Sequence, residues 1–382
     1  MRNNKVIIIL VTVLVVVVIG ILGVIAVVAS GNNKKQPVDN QNVETPNNNE
    51  EQNIVDGAAN GEQNNQANES NGNVALIDPD INPSDTNTVK PTESFVSHYY
   101  YNQLDDTAKT IYTELKNSKD KFITGNYSVD YGTRFNTLLN SEGGQDKLTA
   151  AFQEAWDAFI YDNVDLFYID VTKVNINIQY QDLGGIRTYK VSIGPRNNGS
   201  YYLDTFKTQE EVEKAKSYLE DIRNQMTQQI STDGIYRKLG KVHNWLIETV
   251  SYGGNSKNRH TIYGALADNK AVCEGYARVF KYLMDASGVP CVLVSGTATN
   301  SQGEEENHAW NYVQINENWY AVDVTWDDPI ITGGGELTQE LKYKYFLKGS
   351  TEFNVDHKED GRLSENGKQF RFPTISAQNY RP

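Results

Sequence analysis

Three residues in the C-terminal half have the types and order of a thiol-based catalytic triad: Cys273, His308 and Asp323. Cys273 begins a predicted amphipathic helix, where the positive end of the helix dipole and the first N–H groups favour a thiolate. Its own backbone N–H lies where an oxyanion could be received, and Gly275 leaves room for a substrate backbone. A single cysteine is more often a small buried apolar residue, so the prediction depends on its partners.

The histidine and the aspartate have positions that suit a base and its orienting acid. His308 follows an acidic loop and begins a predicted strand, within reach of a helix start packed on that strand. Asp323 lies inside the next predicted strand among apolar side chains, where a carboxylate needs a partner. A histidine on the neighbouring strand supplies one, and the carboxylate then fixes the imidazole tautomer. Asp327 and Asp328 are the alternatives for this acid, although both also suit a cap on the turn at Pro329.

The other histidines and the second cysteine have structural interpretations. Cys291 begins a buried strand, His243 lies beside the apolar stripe of a helix, and His357 stands in a polar loop with no partner visible. The acidic run 304–306 is either a solvated loop or a means of attracting amine substrates toward His308.

No metal or cofactor site is predicted. No two of the five histidines have metal-ligand spacing on one helix, and the sequence has no CxxC pair, HExxH motif, phosphate-binding glycine loop or calcium loop. The formal net charge of −14 argues against a nucleic-acid partner, because phosphate binding needs clustered Lys and Arg. Two cysteines alone provide no disulfide framework.

The elements that must position the triad are a helix and an antiparallel sheet. Apolar residues at helical spacing predict α-helices over 98–115, 146–161, 209–229, 235–250 and 273–286. Alternating segments predict a hairpin over 174–180 and 187–193, and strands over 291–295, 308–315 and 319–326. Residues 268–269 offer a cap for the helix that begins at Cys273. A helix that begins with the cysteine, followed by strands that carry His308 and Asp323, is an α+β arrangement.

Three segments resemble the motifs of bacterial transglutaminase-like proteins, in the family's order. HTIYGAL (260–266) with KAVCEGYA (270–277) resembles the Cys helix, NHAWN (307–311) the His motif and WYAVDVTWDDP (319–329) the Asp motif. The resemblance covers 234–329 and extends more loosely through 345–347 toward the C-terminus.

The resemblance implies a transglutaminase/papain-like α+β core and a role for each matching residue. Cys273 is then the nucleophile, His308 the base and acid, and Asp323 the orienting carboxylate. Family members also use an upstream aromatic side chain as an oxyanion donor, for which Tyr252 is the candidate, while a core tyrosine explains that residue as well.

The implied chemistry is acyl transfer through a thioacyl intermediate on Cys273. Capture by an amine gives crosslinking, and capture by water gives deamidation or peptide cleavage, so the triad alone leaves transferase, peptidase and deamidase open. A non-catalytic peptide-binding or structural surface protein is the remaining alternative.

The N-terminal part of the chain predicts where in the cell the protein is located. Residues 6–29 carry no charge, and at about 1.5 Å per residue they would cross a hydrocarbon core of about 30 Å. The run exceeds the roughly 7–15 residues of a signal-peptide core, so 1–30 is predicted to be an uncleaved signal anchor; a cleaved signal peptide is the alternative. Positive charges on the two sides are nearly balanced, and the large polar C-terminal mass is expected outside the cell.

The rest of the chain divides into four further parts. Residues 31–92, rich in Asn, Gln, Asp and Glu and nearly without aromatics, are predicted to be a disordered spacer. A helical and β lobe over 93–230, the catalytic core over 231–330 and a C-terminal extension over 331–382 that packs on the core follow. The expected partners are protein or peptide substrates of the cell envelope or surface, with membrane contact through 6–29.

Overall fold

The computed structural model describes residues 6–9, 54–55, 99–184, 186–331, 337–364 and 367–382. The α-helices of this part are α1 Asp106–Asn117, α2 Asn136–Leu139, α3 Gly144–Asp162, α4 Gln209–Gln229, α5 Ile235–Thr249, α6 Ile262–Leu266, α7 Cys273–Ala286, α8 Gln339–Lys342 and α9 Ser350–Phe353. Its strands are β1 Val6–Ile9, β2 Ile54–Val55, β3 Val129–Gly132, β4 Val174–Leu183, β5 Ile186–Pro195, β6 Ser251–Tyr252, β7 Lys270–Ala271, β8 Cys291–Thr299, β9 Glu305–Ile315, β10 Asn318–Val322, β11 Ile330–Ile331 and β12 His357–Glu359.

Local signals explain where the helices of the N-terminal half begin. The helix predicted over 98–115 starts later, at α1, because the Asp105 side chain caps it by accepting the N–H of Ala108, and Tyr101–Gln103 form a separate 3₁₀ turn. The helix predicted over 209–229 is confirmed as α4. Its start is fixed by a capping box, in which Thr208 and Glu211 accept each other's backbone N–H groups.

The predicted hairpin is also confirmed, with longer arms than the alternation indicated. β4 and β5 pair antiparallel from Val174 opposite Pro195 to Leu183 opposite Ile186. This hairpin belongs to a four-stranded sheet of order β1-β4-β5-β3, and α1 packs against α3 beside it.

A second sheet, of order β10-β9-β8-β12, carries the predicted site. All three pairings are antiparallel, and α7 packs on β9, where the Asn311 side chain donates to the Ala277 carbonyl at 3.0 Å. The cysteine helix therefore lies on the sheet that carries the histidine, and the α+β prediction is confirmed.

One continuous set of buried apolar side chains, from Tyr100 to Ile375, joins the two sheets and the helices between them. It includes residues of all three predicted parts, 93–230, 231–330 and 331–382. The C-terminal segment reaches the site sheet, since the Ser376 N–H donates to the Trp319 carbonyl at 2.8 Å.

The N-terminal prediction needs correction where the structure describes it. Val6–Ile9 form a strand paired antiparallel with β4, not the start of a membrane helix, as β-branched residues favour extended backbone. Among the described ranges, no helix combines the length and the apolar character needed to cross a bilayer. Residues 10–29 of the predicted anchor lie outside these ranges. So does the predicted spacer 31–92, apart from Ile54–Val55, which pair with β11 instead of remaining unstructured.

Candidate active site

Cys273 is the first residue of α7, as the sequence predicts, but the helix is not capped as expected. The residue before it, Val272, is extended (φ −101°, ψ 179°), and no side chain accepts a hydrogen bond from the first turn. The cap predicted at 268–269 is therefore absent, because Val272 occupies the cap position. The N–H groups of the first turn are thus not taken by a capping side chain, which suits an anion at the cysteine.

His308 lies between the cysteine and a buried carboxylate. It is the fourth residue of β9, not the first residue of a strand, and pairs with Gly296 of β8. Its Nε2–H donates to Asp323 Oδ2 at 2.6 Å, and its ring also hydrogen-bonds the Cys273 thiol. Since Nε2 faces the carboxylate, Nδ1 is the nitrogen left for the sulfur. The structure thus brings all three predicted residues together.

Asp323 lies just beyond the end of a strand, whereas the sequence indicates a position inside one. β10 ends at Val322, and Asp323 Oδ1 accepts the N–H groups of Thr325 at 3.0 Å and of Trp326 at 3.3 Å. Short acidic side chains bond nearby backbone in this way and end regular structure. One carboxylate oxygen therefore fixes the turn, and the other is left for imidazole.

His308 and Asp323 form an ion pair, because each stabilises the charged form of the other. Burial would raise the pKa of Asp323, but the charges and hydrogen bonds of His308 and His357 hold the pKa of that carboxyl well below its usual range. Burial would likewise lower the pKa of His308, but the charge and hydrogen bond of Asp323, with the Cys273 contact, raise it well above its usual value. His308 is therefore an imidazolium facing the thiol, the arrangement that stabilises a thiolate.

A second histidine, which the sequence left without a partner, completes the surroundings of Asp323. His357 Nε2 lies 3.1 Å from Asp323 Oδ2, and its Nδ1 lies 2.7 Å from Asp356 Oδ1. The interpretation of His357 as a residue in a polar loop is wrong. It belongs to β12, which pairs with β8 at the edge opposite β9, and its side chain is fully buried.

The donor atoms of His308, Asp323 and His357 all lie within 4.8 Å of one another, so a metal needs to be considered. Two ligands of a tetrahedral zinc ion, each about 2.1 Å from the metal, lie about 3.4 Å apart. The two nitrogens instead lie 2.6 and 3.1 Å from the shared carboxylate oxygen. These separations are those of direct hydrogen bonds, and an ion here would also remove His308 from the cysteine.

Tyr252 lies close to the cysteine through a short parallel pairing. It is opposite Ala271 in the pairing of β6 with β7, two residues before Cys273. Burial, followed by the negative charges of Cys273 and Glu306, raises the pKa of Tyr252. Its hydroxyl therefore keeps its proton and can donate a hydrogen bond.

The first turn of the cysteine helix is held by a buried ion-pair cluster that the sequence did not suggest. Glu274 binds Arg278 at 2.8 Å and His260 at 3.2 Å, and Arg259 donates to the other nitrogen of His260 at 3.1 Å. Gly275 allows Arg259 and Ala271 to pack closely against the first turn of α7. A Cβ there would meet Ala271 at 2.8 Å and the Arg259 carbonyl more closely still, so the glycine makes room for the protein's own backbone and not for a substrate.

The alternative acids have other partners. Asp327 binds His243 at 2.9 Å and the Tyr345 N–H at 2.7 Å, and Asp328 accepts from the Tyr276 hydroxyl at 2.7 Å. The structural interpretation of His243 is confirmed.

The remaining polar and thiol candidates have local roles. Cys291 is buried in β8, as expected. In the predicted acidic loop 304–306, Glu304 closes a turn through its contacts with Asn300, and β9 begins at Glu305.

Comparisons with known proteins identify a family and several similar proteins. Residues 220–324 match the family model of the transglutaminase-like superfamily. Human kyphoscoliosis peptidase is 28% identical over 162 residues, which are 39% of this chain and 24% of that protein. The mouse protein is 27% identical over 161 residues, which are 38% of this chain and 24% of that protein. The chain thus spans about a quarter of the length of these curated relatives.

Two solved structures are similar to parts of the chain. A structure of a TGase covers 46% of this chain and 50% of its own, with 13% identity and a TM-score of 0.28. The periplasmic domain of TgpA from Pseudomonas aeruginosa, bound to ethylmercury, covers 41% of this chain and 64% of its own, with 16% identity and a TM-score of 0.24.

Proposed function

Residues 220–324 belong to the transglutaminase-like superfamily, and from this premise we propose that the chain is a thiol enzyme that transfers or hydrolyses amide bonds. Cys273 is the nucleophile, His308 the general acid and base, and Asp323 the carboxylate that orients and charges His308. The observation that carries the proposal is the single line of contacts in which His308 bonds Asp323 at 2.6 Å on one side and the Cys273 thiol on the other.

Acylation uses the ion pair directly. The Cys273 thiolate attacks the amide carbonyl carbon, and a carbon–sulfur bond forms while the carbonyl oxygen becomes negative. His308 gives its Nδ1 proton to the amide nitrogen as the carbon–nitrogen bond breaks, so an amine or ammonia leaves. The oxyanion is received by the N–H groups at the start of α7 and by the Tyr252 hydroxyl, which is a donor because it keeps its proton.

Deacylation reverses the proton flow. Water or an amine attacks the thioester carbon, and neutral His308 accepts the proton that the attacking group loses. The carbon–sulfur bond then breaks, and the thiolate and imidazolium are restored. Asp323 keeps the proton of Nε2 in place throughout, which leaves Nδ1 as the nitrogen that exchanges protons with the substrate.

Peptide hydrolysis is the second form of this function, supported by the kyphoscoliosis peptidase likeness. Crosslinking, deamidation and hydrolysis use the same acyl-enzyme and differ only in the donor amide and in the group that captures the acyl carbon. Their products differ in mass, so one experiment separates them.

The test incubates the full chain with dimethylcasein and dansylcadaverine, with glutamine-containing peptides and with cell-wall peptides, followed by mass spectrometry. Amine incorporation, a gain of about 1 Da and chain cleavage identify crosslinking, deamidation and hydrolysis respectively. Cys273→Ala should abolish every product, whereas the matched variant Cys291→Ala, which changes the other cysteine, should retain them. Unchanged turnover by Cys273→Ala would contradict the mechanism.

A non-catalytic peptide binder is distinguished by the thiol itself. Iodoacetamide should alkylate Cys273 at pH 6, since an imidazolium stabilises the thiolate. Cys291 should stay unmodified in the folded protein, because burial raises its pKa. An inert Cys273 would favour the binder.

The proposed site of action is outside the cytoplasm, on envelope peptides or surface proteins. What supports it is the uncharged apolar run and the acidic balance of the chain. Protease treatment of intact cells should degrade the core. Protection from protease in intact cells would place the enzyme inside.

A further inference from the structure

We propose that His357 is a positioning residue, an imidazolium clamped between Asp323 and Asp356, which holds the triad carboxylate and sets the pH range of the Cys273–His308 pair. This role rests on the proposed function, because it acts on the triad. His357 does not touch the reacting atoms and acts only through Asp323.

The protonation of His357 follows from its hydrogen bonds. Nε2 faces Asp323 Oδ2 at 3.1 Å, and Nδ1 faces Asp356 Oδ1 at 2.7 Å. An ionised carboxylate only accepts hydrogen bonds, so a ring nitrogen that faces one must carry hydrogen. Burial is the first influence on both acids and favours their neutral forms, but hydrogen bonds to His357 contribute to lowering the pKa of each. With both nitrogens protonated, the ring is cationic.

The result is a chain of five groups with alternating charge. Asp356, His357, Asp323, His308 and Cys273 follow one another, and each bonds the next. The imidazoles of the two histidines share one carboxylate oxygen, Asp323 Oδ2. The charge of His357 therefore offsets part of the negative charge that stabilises protonated His308.

Aromatic packing fixes the ring in this place. The Phe353 ring stacks on the His357 ring, with centroids 4.0 Å apart and an interplanar angle of 22°. Trp326, Trp310 and Tyr345 surround it with centroids at 4.6, 5.1 and 5.2 Å. The stacked face of Phe353 attracts a cation. The four rings together exclude water, so the His357 ring can neither turn away nor exchange its partners for solvent.

The backbone is built to let β12 approach. Gly296 of β8 is paired with His308 on one side and with Glu359 on the other. A Cβ at this position would lie 2.6 Å from the Trp310 ring and closer still to the Lys358 carbonyl. Because Gly296 has no side chain, β12, which carries His357, can lie directly against β8.

Charged and titratable groups on the neighbouring elements belong to the same balance. The groups that face His357 or its two carboxylate partners are Asp323, Asp356, His308, Tyr345, Lys344 and Asp327. The Tyr345 hydroxyl donates to Asp356 at 2.7 Å, and Lys344 helps to keep that carboxyl ionised. Burial is the main cause that raises the pKa of Asp327 and keeps it neutral, so Asp327 adds no charge to the five-group chain.

Removing the charge of His357 should move the Cys273–His308 pair in one direction. Without it, His308 keeps its proton to higher pH, and the thiolate forms at higher pH. The two rings lie 5.6 Å apart, and one unit charge at this distance, at an effective dielectric constant of about 20, corresponds to a shift of about two pH units.

The experiment follows alkylation of Cys273 by iodoacetamide from pH 4 to 11, in the full chain, by mass spectrometry of its peptide. The rate has one inflection where the ion pair forms and one where His308 loses its proton. In His357→Gln both inflections should move to higher pH, the upper one by about two units. Asp356→Asn keeps the histidine and an acceptor oxygen but removes the carboxylate charge that holds the ring in its cationic form, so it should produce a smaller shift in the same direction.

The control is His243→Gln, which replaces another buried histidine. Burial lowers the pKa of His243 to about 3, so that ring is neutral and its loss should leave both inflections in place. Unmoved inflections in both His357→Gln and Asp356→Asn would overturn the clamp. If His357→Gln fails to fold, Asp356→Asn decides alone. A wild-type Cys273 that is inert below pH 8 would instead overturn the proposed function, so the two failures are distinguishable.

Discussion

Replacement of Asp323 by asparagine tests the triad with almost no change of shape. Asp323 Oδ1 accepts two backbone N–H groups, those of Thr325 and Trp326, so the amide oxygen of an asparagine must take that place. The amide NH₂ then points at His308 Nε2 and His357 Nε2, which both carry hydrogen in the native protein. Three donors would face one another with no acceptor among them.

His308 can relieve this conflict only by giving up its Nε2 proton. Its remaining proton then lies on Nδ1 and faces the sulfur, so the ring cannot accept a proton from the thiol. Loss of the charged hydrogen bond at 2.6 Å alone removes about 1.5–3 kcal/mol, a factor of roughly 10 to 150 in rate. The wrong tautomer costs up to about 10⁴-fold in the serine triads where the same change is known. Asp323→Asn should therefore lower kcat/KM about 10²–10⁴-fold.

The assay measures kcat/KM on the substrate found by product analysis, together with the alkylation rate of Cys273 at pH 6. Asp157→Asn is the matched control, because Asp157 is also buried but binds only Gln153 and Ser364, outside the site. Circular dichroism of both variants checks the fold. A folded Asp323→Asn protein with less than a tenfold loss would refute the role of Asp323, and the tautomer argument with it.

Three further outcomes are expected. Gly296→Ala should push β12 outward, because the new Cβ would clash with the Lys358 carbonyl of that strand. Alkylation profiles should then resemble those of His357→Gln, and a wild-type profile would count against the close approach of β12. Tyr252→Phe should lower kcat about 10²-fold with little change in KM, as expected for an oxyanion donor, whereas an unchanged kcat would make Tyr252 a core residue only. Burial raises the pKa of Asp157, Asp162 and Asp328 to about 7, so the folded state binds more protons than the unfolded state between about pH 4 and 7. Tm should accordingly fall as pH rises from 5 to 8, less steeply in Asp157→Asn, and a Tm that rises over this range would contradict these shifts.

Sequence patterns were sufficient where the deciding contacts are local. The capping box at Thr208 sets the start of α4, and apolar spacing alone gave its extent. The cysteine helix was placed by the same periodicity, and it begins at Cys273 as predicted. In both cases the residues that fix the element lie within one or two turns of it.

Predictions failed where a distant segment decides the local structure. Gly275 was interpreted as space for a substrate, but the Arg259 backbone occupies that space. Val6–Ile9 have the composition of a membrane helix and still form a strand, because β4 offers them a pairing edge. Neither partner can be read from the segment itself, since a strand edge or a carbonyl sixteen residues away leaves no periodic signal.

His357 and Asp323 show how far the chemistry of a single residue can be followed. Asp323 stands out in the sequence because an acid among apolar neighbours must find a partner, and His308 on the adjacent strand is within reach. His357 gives no such signal, because the residues next to it in the sequence are charged. Its three-residue strand is too short for alternation to show, and it joins the sheet at the edge opposite β9, so no spacing links it to Asp323. Only the order of strands in the sheet therefore identifies Asp323 as the second acid of His357, beside the adjacent Asp356.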